Sequence, residues 1–259
     1  MNLTSPSQVK AWCIEHEFHP NKVLGQNFLI DRNALTAIVD EGLADGAKRV
    51  VEVGPGLGVL TEEMLARGVQ VTAVEKDPVL ADRLYEALGK PEKLTVIKGD
   101  ALNVEIPEAE AMVSNLPYQA GTRILLELVQ ARKFRRMTVL VQTEVAERLA
   151  AQEGGKTRGL AGVWAQLDYD VKIVRKVAAS CFWPRPEVGS SVVTLIRHDR
   201  NLDLGEEERK LFHRITKQAF EHRRKQLGSI FKEYIQSTLR AEELSNQDWI
   251  ELVKGLSGS

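Results

Sequence analysis

Apolar residues in this chain come in short runs separated by stretches where they recur every three or four positions, and the alternation persists from about residue 50 to residue 200. The short runs predict strands over 50–53, 69–74, 94–100, 111–118, 137–142, 171–177 and 191–197. The helical spacing predicts helices over 78–88, 121–130, 144–152 and 159–169, with a further amphipathic run after residue 58 that places Leu60, Met64 and Leu65 on one face. Pro78 at a first helical position and Gly89 just past the last mark one of these helices at both ends. Two more helical segments, 4–18 and 33–42, precede the alternation, and the polar pair Gln26–Asn27 between them has no evident folding purpose. Strand–helix alternation of this kind predicts an α/β fold with a mostly parallel seven-stranded sheet and helices on both faces. The last two strands have no helix between them, so they are expected to pair antiparallel at one edge.

After Arg197 the polar, acidic stretch 198–209 reads as a linker. The chain is helical from residue 206 onward, and two or three helices in about fifty residues bury little core alone. The expected division is therefore 1–198 for the sheet domain and 199–259 for a small α-helical C-terminal domain.

The first predicted strand runs into Glu52-x-Gly54-x-Gly56-x-Gly58. Strand, glycine turn and helix in that order let a small molecule approach the backbone closely. A dinucleotide fingerprint would need its third glycine at position 59, which is Val59, so a nicotinamide-linked dehydrogenase fits poorly. The spacing instead resembles the first motif of methyltransferases that use S-adenosylmethionine. In an open parallel sheet, ligands bind at the carboxyl ends of the strands, and the next three predicted strands end in Glu75, Asp100 and Asn115. Glu75, 19 residues after Gly56, is placed to accept hydrogen bonds from both ribose hydroxyls, and Asp100 to accept one from an adenine amine.

Asn115-Leu116-Pro117-Tyr118 has the form of the Asp/Asn/Ser-Pro-Pro-aromatic motif of enzymes that methylate exocyclic amines, with leucine in the second position. The amino lone pair of adenine is delocalised and attacks poorly. The Asn115 side-chain oxygen and the main-chain carbonyl of Leu116 or Pro117 can accept its two N–H bonds and aim the lone pair at a methyl donor, while Tyr118 stacks on the base. Phe182 and Trp183, followed by Pro184-x-Pro186, form a rigid aromatic loop. Extracting a base costs a few kcal/mol, and stacking returns roughly 1–3 kcal/mol per base. Tyr118 and Phe182 on opposite faces would about offset that cost, with Trp183 packed beneath the sheet edge.

Composition narrows the setting. The chain is 43% hydrophobic and 27% charged, as in ordinary globular proteins, and shows neither an apolar run of membrane-spanning length nor a signal peptide. Cys13 and Cys181 lack metal-ligand spacing and read as two reduced thiols, so a cytoplasmic location and no metal are expected. The net charge of −1 is uneven: residues 209–232 carry +7 and the remainder −8, a polarity that suits an anionic polymer on one face.

With these residues in place, the chain resembles the small-subunit ribosomal RNA adenine dimethyltransferases (KsgA-type) along nearly its full length. The resemblance rests on LGQNFL (24–29), EVGPGLGVLT (52–61), VEKD (74–77), GDAL (99–102), SNLPYQ (114–119), QTEVAERL (142–149), FWPRPEV (182–188), AFEHRRKQL (219–227) and RAEELSNQDWIEL (240–252). It implies a Rossmann-like S-adenosylmethionine-dependent methyltransferase core with a helical C-terminal domain. It implies dimethylation of two adjacent adenines near the 3′ end of small-subunit rRNA during subunit biogenesis, by a monomer with no DNA or membrane partner. It places the cofactor on Asn27, Leu29, Gly54, Gly56, Glu75, Asp100 and Asn115, and the target base on Tyr118 and Phe182. It places rRNA on Arg223, Arg224 and Lys225. The sequence departs from the family pattern on the target side, at 120–124 and at Glu187-Val188-Gly189. A large-subunit adenine methyltransferase of the macrolide-resistance type, or an rRNA-binding assembly factor without turnover, remains as an alternative.

Overall fold

The computed structural model describes residues 2–21, 24–201, 204–232 and 236–257. Part of the expected linker, residues 202 and 203, lies outside them. In chain order the elements are α1 (Pro6–Glu15), β1 (Phe28–Leu29), α2 (Arg32–Gly42), β2 (Arg49–Val53), α3 (Val59–Ala66), β3 (Gln70–Glu75), α4 (Pro78–Ala87), β4 (Leu94–Lys98) and β5 (Ala111–Asn115). There follow α5 (Gly121–Gln130), β6 (Arg136–Gln142), α6 (Thr143–Ala150), α7 (Leu160–Asp168), β7 (Tyr169–Val177), β8 (Phe182–Trp183) and β9 (Ser190–Arg197). Helices α8 (Glu206–Glu221), α9 (Leu227–Ile230) and α10 (Asn246–Ser257) complete the order.

Seven strands form one sheet in the order β4-β3-β2-β5-β6-β9-β7. The pairs β2·β3, β3·β4, β2·β5 and β5·β6 are parallel, and β9 runs antiparallel to β6. The chain moves outward from β2 to β4, then returns to place β5 on the other side of β2. The crevice between the carboxyl ends of β2 and β5 is thus a topological switch point, where open α/β sheets bind ligands. Central β2 reads as a nearly continuous apolar run because parallel strands are covered on both faces.

Local chemistry sets the helix starts. Asp31 caps α2 by accepting from Ala34 N–H at 2.7 Å, and Asp77 caps α4, where Pro78 supplies a preset φ at the first position. Arg136 on β6 makes a bidentate pair with Asp45 and reaches Glu41 on α2, so this buried cation is matched and α2 is fixed to the sheet. A two-stranded antiparallel pair, β1 with β8, joins segment 28–29 to segment 182–183, with Leu29 opposite Phe182. Two-residue strands carry no periodicity, which is why the sequence reads both segments as loops.

The chain divides into two compact units, 1–146 with 172–196 and 147–171 with 197–259. The single expected cut at 198/199 gives way to this arrangement because α7 belongs to the second unit. Its Val163 and Leu167 pack in a cluster with Phe212, Ile215 and Trp249. Spacing shows that α7 has an apolar face, not what covers it. Within this unit, Arg209 places Nη1 within 2.9 Å of both carboxylate oxygens of Asp168. No helix among the described residues is long and apolar enough to cross a membrane.

Candidate active site

A cavity of about 230 Å³ opens at the switch point. The glycine turn after β2 forms one wall. Gly54, Gly56 and Gly58 all have positive φ (70°, 58° and 90°), a region costly for side chains. A Cβ at Gly56 would meet the Phe28 ring at 3.1 Å, and one at Gly58 would meet Leu84 at 2.5 Å. Only glycine lets the turn lie this close to its surroundings.

The strand-end acids line the next wall. Glu75 is buried, and its two carboxylate oxygens accept from Gly56 N–H at 3.0 Å and Asp77 N–H at 2.8 Å. Burial pushes its pKa up, opposed by those backbone donors. Asp100 accepts from Lys76 Nζ at 2.8 Å and from Leu102 N–H at 3.0 Å, and the lysine chiefly holds its pKa down. Each oxygen of both carboxylates keeps a further lone pair for a ligand hydroxyl or amine.

Glu52, which sequence reasoning noted only as the motif's first letter, also lines the cavity. It is fully buried, accepts from Thr61 Oγ1 at 2.6 Å, and burial raises its pKa to about 8. The signal for it was an acid within an otherwise apolar strand.

Segment 24–29 closes over the turn. Asn27 and Leu29 both line the cavity. The main-chain carbonyl of Asn27 accepts from Asn115 Nδ2 at 3.0 Å. With its nitrogen committed, Asn115 keeps Oδ1 buried and without a hydrogen-bond partner. A buried unpaired acceptor costs free energy, and this one sits among the cavity-lining residues, where an N–H donor would satisfy it. Pro117 already accepts Gly121 N–H at 2.7 Å, so Leu116 offers the less committed of the two candidate carbonyls. Tyr118 lines the cavity with its hydroxyl 2.5 Å from Ser190 Oγ, which fixes the ring against the start of β9, and burial raises its pKa.

Phe182 is different. It is 2% exposed, packs in the main core cluster and is not among the residues lining the cavity. The expected clamp of Tyr118 and Phe182 on opposite faces of a base is not assembled in this arrangement, because pairing β8 with β1 turns Phe182 into the core. Trp183 stacks on Phe28, with centroids 6.5 Å apart.

The basic window lies in the second unit, and part of its charge is used internally. Arg209 is paired with Asp168, and Lys210 with Glu206 and Glu207, acids just before that window. Arg223 donates to the Lys156 carbonyl at 2.8 Å and lies 3.6 Å from Glu242. Arg224 and Lys225 stand exposed, as do Arg214 and Lys217 on α8.

The site fits S-adenosylmethionine. Apolar Leu29, Val53 and Val74 can flank an adenine ring, Glu75 and Asp100 supply acceptors for a nucleoside, and the left-handed glycine turn leaves backbone exposed. Among the described residues no group of three or more His, Cys, Asp or Glu is arranged to hold a metal ion.

Comparison with known proteins agrees with this geometry. Residues 17–252 match the family model described as ribosomal RNA adenine dimethylase. A ribosomal RNA small subunit methyltransferase A from Deinococcus radiodurans is 45% identical, over 74% of this chain and 67% of its own length. One of the same name from Chlamydia felis is 33% identical, over 99% and 97%. Among solved structures, a dimethyladenosine transferase from Plasmodium falciparum superposes with a TM-score of 0.78 at 21% identity, covering 89% of this chain and 97% of that one. The 23S rRNA methyltransferase ErmE does so with a TM-score of 0.70 at 25% identity, covering 89% and 100%.

Proposed function

Because this chain belongs to the ribosomal RNA adenine dimethylase family, methyltransferases that use S-adenosylmethionine, we propose that it dimethylates the 6-amino groups of two adjacent adenines near the 3′ end of small-subunit rRNA. The observation that carries the reading is the unpartnered Oδ1 of Asn115 at the end of β5, beside the glycine turn. An exocyclic amine supplies the donor that this acceptor lacks.

When bound, the cofactor supplies a methyl group already activated on a sulfonium sulfur. Asn115 Oδ1 and the Leu116 carbonyl accept the two amino N–H bonds of the target adenine. That pair of bonds orients the nitrogen lone pair, and orientation is the larger part of what the protein must contribute. No strong general base is required, since the amine becomes acidic once alkylated. Tyr118, fixed by Ser190, presents a ring face to the base. Phe182 reaches the base only by leaving its core packing. Arg224 and Lys225 hold rRNA phosphates, and the same helical unit supplies Arg214 and Lys217.

The small subunit is favoured over the large by the relatives' names and by the match to NLPYQ, EVAERL and the C-terminal helices. The substrate is the immature small subunit, met by a monomer in the cytoplasm. Methyl transfer from labelled cofactor to unmethylated small subunits, with large-subunit RNA in parallel and nucleoside analysis of the product, tests the reading. Dimethyladenosine in the small-subunit RNA alone is expected. Label confined to large-subunit RNA would move the chain to the resistance class, and no label in either would sink the assignment.

A further inference from the structure

We infer that Gln26 is a positioning residue, which holds the Asn27 carbonyl where it sets the orientation of the Asn115 amide. The inference rests on the methyl-transfer reading above. The Gln26 carboxamide spans two places that the sequence leaves unconnected. Its Oε1 accepts from Asn21 N–H at 2.8 Å, and its Nε2 donates to Asp77 Oδ2 at 2.8 Å, across 51 residues of chain. Its own main-chain N–H donates to Asn21 O at 3.2 Å.

Asp77 is a rigid anchor. Its Oδ1 accepts from Val79 and Leu80 N–H at the start of α4, and its N–H donates to Glu75 Oε1. One carboxylate oxygen is left, and Gln26 takes it. The next residue, Asn27, receives Asn115 Nδ2. The two ends of a carboxamide are opposed, so whichever atom meets Asn27 leaves the other for the cavity. A carbonyl at that point selects the nitrogen and turns Oδ1 toward the substrate. A continuous set of bonds therefore runs from Glu75, on the ribose side of the cofactor seat, through Asp77, Gln26 and Asn27 to the atom that accepts from the target amine. Gln26 lines the same cavity, but both ends of its carboxamide are engaged by Asn21 and Asp77, and its effect is transmitted through the backbone of segment 26–27.

A polarity exchange tests the link. Gln26→Glu keeps the shape but places a carboxylate against that of Asp77. Combining it with Asp77→Asn restores the bond with donor and acceptor reversed, and leaves the Oδ1 that caps α4 in place. Single-turnover methyl transfer to unmethylated small subunits at saturating cofactor is compared for wild type, Q26E, D77N and Q26E/D77N. Calorimetric cofactor affinity and melting temperature are measured alongside. We expect Q26E to slow transfer by about tenfold to a hundredfold, the scale set by a misplacement of about an ångström, with the fold retained and the double variant recovering most of the loss. A merely structural role would move the melting temperature, with the rate following it. Q26E at the wild-type rate, or a double variant as slow as Q26E, would overturn the inference with the parent reading intact. A wild type that methylates no subunit would remove both.

Discussion

Asn115 Nδ2 donates to the carbonyl of Asn27 at 3.0 Å, joining the end of β5 to a segment 88 residues earlier. The bond makes asparagine, not aspartate, the residue that fits. Asn115→Asp would set a carboxylate oxygen against a carbonyl oxygen at that distance. We expect it to destabilise the fold by about 1–3 kcal/mol, the cost of an unsatisfied buried polar group, and to slow methyl transfer. Asn115→Ala removes the acceptor as well and should abolish measurable transfer while the protein stays folded. Single-turnover kinetics beside chemical denaturation separates the two effects; equal rates for N115D and wild type would count against the geometry.

Gly25 lies against the other end of the same loop. It adopts φ of 67°, and a Cβ there would stand 2.9 Å from Tyr118 N and 3.1 Å from Gln119 N. Both neighbours are backbone and cannot step aside cheaply. Gly25→Ala should lower the transfer rate and weaken cofactor binding together. Gly46 is the control: its φ is 75°, but nothing lies within 4 Å of the added Cβ. Gly46→Ala should show only the left-handed backbone cost, about 1–2 kcal/mol, with kinetics unchanged. Calorimetry with S-adenosylmethionine and melting curves for the pair decide the matter.

Glu52 gives the apo protein a pH signature. Burial raises its folded pKa to about 8, against about 4.3 for an exposed glutamate. Between those values the folded chain keeps a proton that the unfolded chain releases, so this group's contribution to stability falls as pH rises from about 4.3 to about 8 and is level above. Buried Glu75 is shifted in the same direction. Glu52→Gln preserves an acceptor for Thr61 and removes the titration. The stability difference between E52Q and wild type should therefore grow in favour of E52Q as pH rises from about 5.5 to about 8. Urea unfolding at both values, without cofactor, measures it; a pH-independent difference would mean that Glu52 titrates normally.

The Tyr118–Ser190 hydrogen bond, at 2.5 Å, separates the ring from its orientation. Tyr118→Ala should lose transfer by about a hundredfold, since stacking is worth roughly 1–3 kcal/mol per base. Tyr118→Phe keeps the face, and its smaller loss should match that of Ser190→Ala. The Y118F/S190A double variant should be no worse than either single one, because both remove the same bond. Strictly additive losses in a double-mutant cycle on kcat would show that the bond does not position the ring.

What the sequence showed and what it hid have a common physical cause. Glu75 and Asn115, which end β3 and β5, and Asp100, two residues past the end of β4, were legible because a parallel sheet binds ligands at one edge and apolar runs announce roughly where each strand stops. The structure brings all three residues to one cavity. The core packing of Phe182 was not legible, because it depends on two-residue pairing between β8 and β1, which leaves no periodic trace. Gln26 was visible as a polar residue without a purpose, and its partner Asp77 figured only as the last letter of VEKD (74–77). Residues 147–171 read as part of the sheet domain because spacing reports an amphipathic face and not its counterpart.

Arg223, Arg224 and Lys225 are adjacent in sequence and should behave differently. Arg223 donates to the Lys156 carbonyl and lies near Glu242, so part of its role is internal. Arg224 and Lys225 are exposed. If these two hold rRNA phosphates, Arg224→Glu with Lys225→Glu should weaken rRNA binding. The slope of log K against log salt should become shallower by about 0.7–0.9 for each phosphate no longer neutralised. The melting temperature should not move. Arg223→Ala should instead lower the melting temperature, with a smaller change in slope. Filter binding or fluorescence anisotropy over a salt series, with melts of the same preparations, tests both. An unchanged salt slope for the Arg224–Lys225 reversal would place the rRNA on another face of the protein.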